Sequence, residues 1–153
     1  MIDNLEHEAC LELLRNNHIG RLAFIKGEDP YVVPITYYFQ EHNAQGLICY
    51  SLEGYKIDAM RENRSVALLV EEIESVFRWK SVLVHGEFEE LSGTAARNCL
   101  HEFTQGIKEI INRNKSRDVH FIHEFSSKMA ALGSSPIVFR INLTDLTGKI
   151  RQD

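Results

Sequence analysis

The chain has 153 residues, 44% of them hydrophobic and 25% charged, with 17 Lys and Arg against 22 Asp and Glu for a formal net charge of −5. That length and mixture suit one globular domain over residues 1–153 with its own core. The acidic balance, with no block of Lys or Arg, argues against nucleic acid as the main partner, and no apolar run is long enough to span a bilayer.

The opening stretch MIDNLEHEACLELLRNN is acidic and polar-interleaved, so it is not expected to act as a signal peptide. Cys10, Cys49 and Cys99 are odd in number and widely spaced, with neither a disulfide framework nor a zinc-binding CxxC pair. A reducing cytoplasm is the expected setting. Asp3 or Asn4 is placed to cap a first helix that carries Leu5, Ala9, Leu13 and Leu14 on one face and ends near Asn16 and Asn17. A strand follows from His18 to Ile25, then a turn punctuated by Gly27 and Pro30. The next strand, YVVPITYYF, is rich in β-branched and aromatic residues. Pro34 inside it cannot donate to a ladder, so this strand belongs at a sheet edge or at a bulge. LICYS is a third strand, and the short loops so far point to an antiparallel meander.

A short helix is expected from about Tyr55 to Glu62, with Ile57 and Met60 inward. SVALLVEE reads as a fourth strand, apolar enough to be buried on both faces. A long fifth strand spans about Phe77 to Glu90, with Gly86 marking a bend or bulge. Ala96, Leu100, Phe103, Ile107, Ile110 and Ile111 then recur at helical spacing. A further helix is expected in RDVHFIHEFSSKMAAL, a break at Gly133 to Pro136, and a sixth strand in IVFRINLTDLTGK. The fold class is therefore mainly β (α+β): a small six-stranded antiparallel barrel with helices packed outside it.

Three clusters offer chemistry. In YSLEGYK a strand hands over to a helix, where the first-turn N–H groups are unpaired and the helix dipole adds partial positive charge. Gly54 permits a sharp turn, Ser51 brings a hydroxyl and Lys56 a full charge, so the junction is a candidate anion seat; an ordinary solvated turn has the same composition. In WKSVLVHG, the lone tryptophan Trp79 shares a strand face with Ser81, with Lys80 on the other. That arrangement suits either a core position or a wall for a planar ring. In VPITYY, the interruption at Pro34 frees backbone groups beside the Thr36 hydroxyl, which either protects an edge or binds the heteroatoms of a ring.

The order of these motifs, YVVPITYYF, then YSLEGYKIDAMREN, SVALLVEE and WKSVLVHGEFEEL, resembles the flavin-binding split-barrel superfamily of pyridoxamine 5'-phosphate oxidase. HIGRLAF, PYVVPITY and the closing VFRINLTDLTGK are most similar to its nitroimidazole-resistance reductase branch, over about residues 5 to 150. The resemblance implies a six-stranded split β-barrel, acting as a homodimer with FMN at the subunit interface. It also implies that Ser51 and Lys56 hold the phosphate with Gly54 in the turn between them. Pro34, Ile35, Thr36 and Tyr37 then lie beside the isoalloxazine ring, and Trp79, Lys80 and Ser81 lie near the flavin. Tyr31 and Thr36 stand where the oxidase has basic residues, and the oxidase's C-terminal Arg-Leu substrate motif has no counterpart, so the likeness does not extend to pyridoxamine phosphate oxidation. Tyr50 stands near where the nitroimidazole branch often carries a histidine, and is the candidate proton donor at the flavin site.

The function expected on these grounds is an FMN-dependent oxidoreductase. NAD(P)H or another donor reduces it, small acceptors such as nitroimidazoles and other nitroaromatics oxidise it, and Lys80 favours an anionic reduced flavin. The alternatives are a non-catalytic flavin- or haem-binding carrier or sensor dimer, and a dimeric scaffold with a vestigial pocket. No metal is expected: His120 and His123 sit three apart, with only His101 nearby, and lack HExxH or Cys-His spacing.

Overall fold

The computed structural model describes residues 1–42, 45–113 and 136–153. In chain order these form β1 (Ile2–Asn4), α1 (His7–Asn16), β2 (Ile19–Lys26), β3 (Asp29–Thr36), β4 (Tyr38–Gln40), β5 (Gly46–Ser51), α2 (Tyr55–Glu62), β6 (Ser65–Ser75), β7 (Arg78–Glu90), α3 (Gly93–Arg113) and β8 (Ile137–Gln152). The helix expected in RDVHFIHEFSSKMAAL and the break at Gly133 to Ser135 lie outside the described residues.

All strand pairs are antiparallel, in the order β3-β2-β6-β7-β8-β5-β4, with β1 added alongside β8. The two ends of that order, β3 and β4, are separated in the chain by Tyr37 alone. The sheet must therefore roll until its edges meet at that residue, which makes an antiparallel split barrel. Tyr37 fastens the corner. Its backbone N–H donates to the His18 carbonyl at 2.8 Å, and its buried hydroxyl donates to the Leu14 carbonyl at 2.9 Å, in the last turn of α1.

Alternate strand residues fill the interior. Leu22, Phe24, Val66, Leu68, Val70, Val82, Val84, Phe88, Leu47, Phe139 and Ile141 form one buried cluster with Leu13 and Leu14 of α1 and Ile57 and Met60 of α2. The opposite faces of β5 and β8 offer Ile48 and Val138 to Cys99, Phe103, Ile107 and Ile111 of α3. A Cβ on Gly106 would lie 2.1 Å from the Tyr38 ring, so α3 reaches β4 at a spacing that only glycine allows. At Gly86 a Cβ would meet the Asn142 carbonyl oxygen at 2.5 Å, and the β7–β8 register shifts between His85 and Gly86, the bulge expected there.

The fold class stands, with eight strands in place of six. Ile2–Asn4 pairs with Lys149–Arg151 rather than capping a helix, and α1 starts at His7 after Glu6. The cause is the length of β8: β5 covers it only from Ile137 to Asn142, so its far end needs another neighbour. The second expected strand is cut in two at Tyr37. β6 alternates instead of burying both faces, with Val66, Leu68 and Val70 inside and Leu69 exposed. The Pro34 strand lies at the sheet edge, as its missing N–H requires.

Removing the Tyr37 hydroxyl leaves the Leu14 carbonyl without its donor. Tyr37→Phe is expected to lower stability by about 1–3 kcal/mol, seen as a lower urea midpoint at unchanged slope. An unmoved midpoint would show that the corner does not lean on this bond.

Candidate functional site

β5 ends at Ser51, and α2 begins at Tyr55 after Gly54, which supplies no side-chain cap. The first-turn N–H groups of α2 are thus without a side-chain acceptor, at the positive end of the helix dipole. A Cβ placed on Gly54 would meet nothing within 4 Å, so the space in front of the turn is open. The Ser51 hydroxyl donates only to the neighbouring Leu52 carbonyl, at 3.1 Å. Lys56 is half-buried. It joins no ion pair among the described residues. Burial pushes its ammonium pKa down, with the Cys49 thiol opposing that shift. A half-buried cation, an uncapped helix start and a hydroxyl suit an anion, and they are the residues that the sequence singled out.

Two features of this junction were not legible in the sequence. The Arg61 guanidinium binds Glu53 through both carboxylate oxygens, at 2.8 and 2.9 Å, and Glu90 likewise at 2.7 and 3.1 Å. Arg61 holds the Glu53 carboxyl below its ordinary pKa and ties the turn to the end of β7. It also neutralises the acidic residue nearest the open turn. The second feature is an aromatic corner. The Tyr55 and Tyr31 hydroxyls are 3.0 Å apart and their rings meet edge to face at 5.2 Å. Tyr31 stacks on Phe24 at 5.6 Å, and the Lys26 ammonium lies 5.8 Å from the Tyr55 ring centre. Glu53 and Arg61 are eight residues apart, and Tyr31 and Tyr55 twenty-four, so no local spacing rule could have paired them.

The remaining candidates are dispersed. Pro34 faces outward opposite Arg21 on the edge strand, Ile35 is buried, Thr36 is partly covered, and the Tyr37 ring is wholly inside. Tyr50 alternates with Ser51, so its ring lies on the α3 side of β5, 5.4 Å from Phe103 and edge to face with it. Burial pushes its phenol pKa up. Trp79, Lys80 and Ser81 pair with Arg151, Ile150 and Lys149. Ser51 pairs with Ile137, at the other end of the same strand β8. Twelve residues of strand separate the two pairings, roughly 40 Å along β8 if extended, so the two clusters lie at opposite ends of that strand.

Trp79 and Lys80 line a hollow of about 210 Å³ with Glu72, Arg78 and Arg151, below the roughly 300 Å³ at which pockets for drug-sized ligands begin. A roomier hollow of about 540 Å³, between Arg15, Tyr38, Glu41 and Arg113, contains none of the expected site residues. The acidic residues Glu71, Glu89 and Glu90 are engaged by Arg21, Arg140 and Arg61 respectively. Among the described residues no three His, Cys, Asp or Glu side chains gather as a metal site, and no helix is long and apolar enough to cross a membrane. His120 and His123 lie outside the described residues.

Comparison with known proteins bears on the family and the fold. An uncharacterised protein of Rhizobium meliloti is 40% identical over 98 residues, 64% of this chain; the match spans 62% of that relative's length. The crystal structure of a FAD-binding protein from Mesorhizobium loti superposes with a TM-score of 0.70 at 28% identity, covering 100% of this chain and 98% of that one. A candidate 5-nitroimidazole antibiotic resistance protein of Bacteroides thetaiotaomicron shares the fold, with a TM-score of 0.64 at 16% identity over 98% of this chain and 87% of its own. The model of the family described as pyridoxamine 5'-phosphate oxidase matches residues 6–150, the whole span from α1 through most of β8. By that match and by its rolled antiparallel sheet, the chain belongs to the pyridoxamine 5'-phosphate oxidase family.

Proposed function

We propose that this chain is a flavin-dependent oxidoreductase that grips the phosphate of the FMN unit at the Ser51–Lys56 junction. The observation that carries this reading is Lys56: a half-buried cation with no carboxylate partner among the described residues, at the head of a helix with no side-chain cap. A cation in that position is costly until an anion arrives. Ser51 and the first-turn N–H groups add donors, and Arg61 keeps Glu53 from repelling the phosphate. A bound flavin supplies reversible electron transfer between a donor such as NAD(P)H and a small acceptor such as a nitroimidazole. The protein's part is to hold the tail, orient the ring and exclude water. The FAD-binding relative supports a flavin as the ligand. Three buried free thiols suit a reducing cytoplasm.

The reading includes a homodimer with the flavin between its subunits. The separation of the junction from Trp79, Lys80 and Ser81 favours this, because a second copy is the simplest way to bring both to one ring. The outer face of the sheet favours it too. Ala23, Val32 and Ala67 share one cross-strand row with His85, and Pro34, Leu69 and Leu83 share the next with Arg21, which is paired to Glu71. Val32 is 64% exposed and Leu69 37%, apolar side chains of the kind that isologous interfaces cover. In such a dimer Pro34 to Thr36 of the edge strand would flank the ring, with Gly54 leaving room for the tail.

A carrier without turnover is the second reading, and the position of Tyr50 favours it. The side chain considered as proton donor packs on Phe103, on the opposite face of β5 from Ser51.

Ser51→Ala combined with Lys56→Ala is expected to weaken flavin binding by about 3 kcal/mol or more, since each charge-assisted bond contributes about 1.5–3 kcal/mol. Fluorescence titration of the folded double variant checks this, and unchanged affinity removes the site. Val32→Asp is expected to give a monomer by light scattering and to lose flavin with it. A monomer that keeps full affinity would show that one subunit suffices. Under anaerobic conditions NADPH should bleach the flavin absorbance and a nitroimidazole should restore it. Bleaching without recovery would instead support the carrier.

A further inference from the structure

We propose that Arg61 keeps the anion seat open by holding Glu53, and that Glu53, once released, takes Lys56 as its partner and closes the seat from within. The proposal rests on the flavin reading above and adds to it a contact that competes with the phosphate. It makes Arg61 a positioning residue, acting through Glu53 and touching no ligand.

One guanidinium serves two carboxylates at this junction. Nε and Nη2 of Arg61 donate to the two oxygens of Glu90 at 2.7 and 3.1 Å, and Nη1 and Nη2 donate to those of Glu53 at 2.9 and 2.8 Å. Glu90 is the last residue of β7, so that pair anchors Arg61 to the sheet. Glu53 is held by less. Its side chain is 60% exposed, and Arg61 is its sole partner among the described residues. The planar fork of an arginine can grip two carboxylates with two bonds each, which a lysine ammonium cannot. Without Arg61 the junction would carry two released carboxylates.

Lys56 is the partner that a released Glu53 would find. Its ammonium is half-buried and joins no ion pair among the described residues. A partly buried ammonium gains from any carboxylate that reaches it. Glu53 and Lys56 are three residues apart, so their Cα atoms are at most about 11 Å from each other, within the combined reach of the two side chains. Gly54 between them has an extended φ of 167°, and a Cβ placed on it would meet nothing within 4 Å, so the turn is uncrowded at its middle. Asp58, the other carboxylate in the first turn of α2, comes two residues after Lys56 and lies on a different face of the helix. Phosphate and Glu53 would then seek the same ammonium, and the ligand enters freely only while Arg61 holds Glu53 away.

Two assays on the full chain test this. The first is trace labelling of the flavin-free protein with acetic anhydride, read at Lys56 by peptide mass spectrometry. Arg61→Gln is expected to slow Lys56 labelling by about threefold or more, because an ion-paired ammonium gives up its proton less readily. Adding Glu53→Gln to that variant is expected to restore the rate. The second assay is fluorescence titration with FMN. Arg61→Gln is expected to weaken binding by about fivefold or more, and the double variant to return to the unmutated affinity or above it. Glu90→Gln, which leaves Arg61 on Glu53, is expected to change neither readout. Unslowed labelling in Arg61→Gln overturns the proposal, as does a double variant as impaired as Arg61→Gln, or a Glu90→Gln protein equally impaired; each would mean that Arg61 only braces the fold. These outcomes leave the flavin reading intact. Failure of the unmutated chain to bind FMN overturns that reading, and with it the seat that Arg61 is proposed to keep open.

Discussion

The structure depends on the joining of its two sheet edges at one residue. β3 and β4 stand at opposite ends of the strand order, yet only Tyr37 lies between them in the chain. A flat sheet cannot satisfy that connection, so the sheet rolls and its interior becomes the core. The corner holds because Tyr37 is bonded in two directions, to His18 through its amide and to Leu14 through its hydroxyl. Burial raises the phenol pKa well above its ordinary value, so the hydroxyl stays a neutral donor. Pro34 then serves the edge that remains open, where a missing N–H costs nothing in the ladder.

Rolling the sheet also sets the electrostatics of its mouth. α2 packs Ile57, Ala59 and Met60 into the barrel, which forces Lys56 into partial burial beside them. Several cations are matched to carboxylates: Arg15, Arg21, Arg61 and Arg140 each have a partner. Lys56 joins none of these pairs although it is half-buried, and Glu53, three residues before it, is bound by Arg61. The junction thus keeps one half-buried cation that no carboxylate neutralises directly among the described residues. That arrangement is what the proposed anion site rests on.

β8 bears on the proposed dimer. It pairs with Ser51 at one end and with Trp79 to Ser81 at the other, so it spans the two clusters that the proposed flavin would have to touch together. The apolar outer rows around Val32, Leu69 and Leu83 lie on the face that a second copy would need. The small hollow at Trp79 is consistent with half of a shared site.

Much of this was determined by the sequence alone. Period-2 and period-3.6 patterning, Pro34 and Gly86 specified α2, α3, the edge strand and the bulge, because these signals act within a few residues. Ser51, Gly54 and Lys56 were legible as a junction for the same reason: a strand end, a glycine and a lysine are contiguous. The tertiary structure alone decided that β1 completes the far end of β8, that the strand through Tyr37 breaks in two, and that β6 is buried on one face only. It alone paired Arg61 with Glu53 and Glu90, joined Tyr31 to Tyr55, and turned Tyr50 toward Phe103. These outcomes depend on which distant segments become neighbours when the sheet rolls. Local propensity carries no information about that, since the same residues at the same spacing could face water, core or ligand according to how the edges meet.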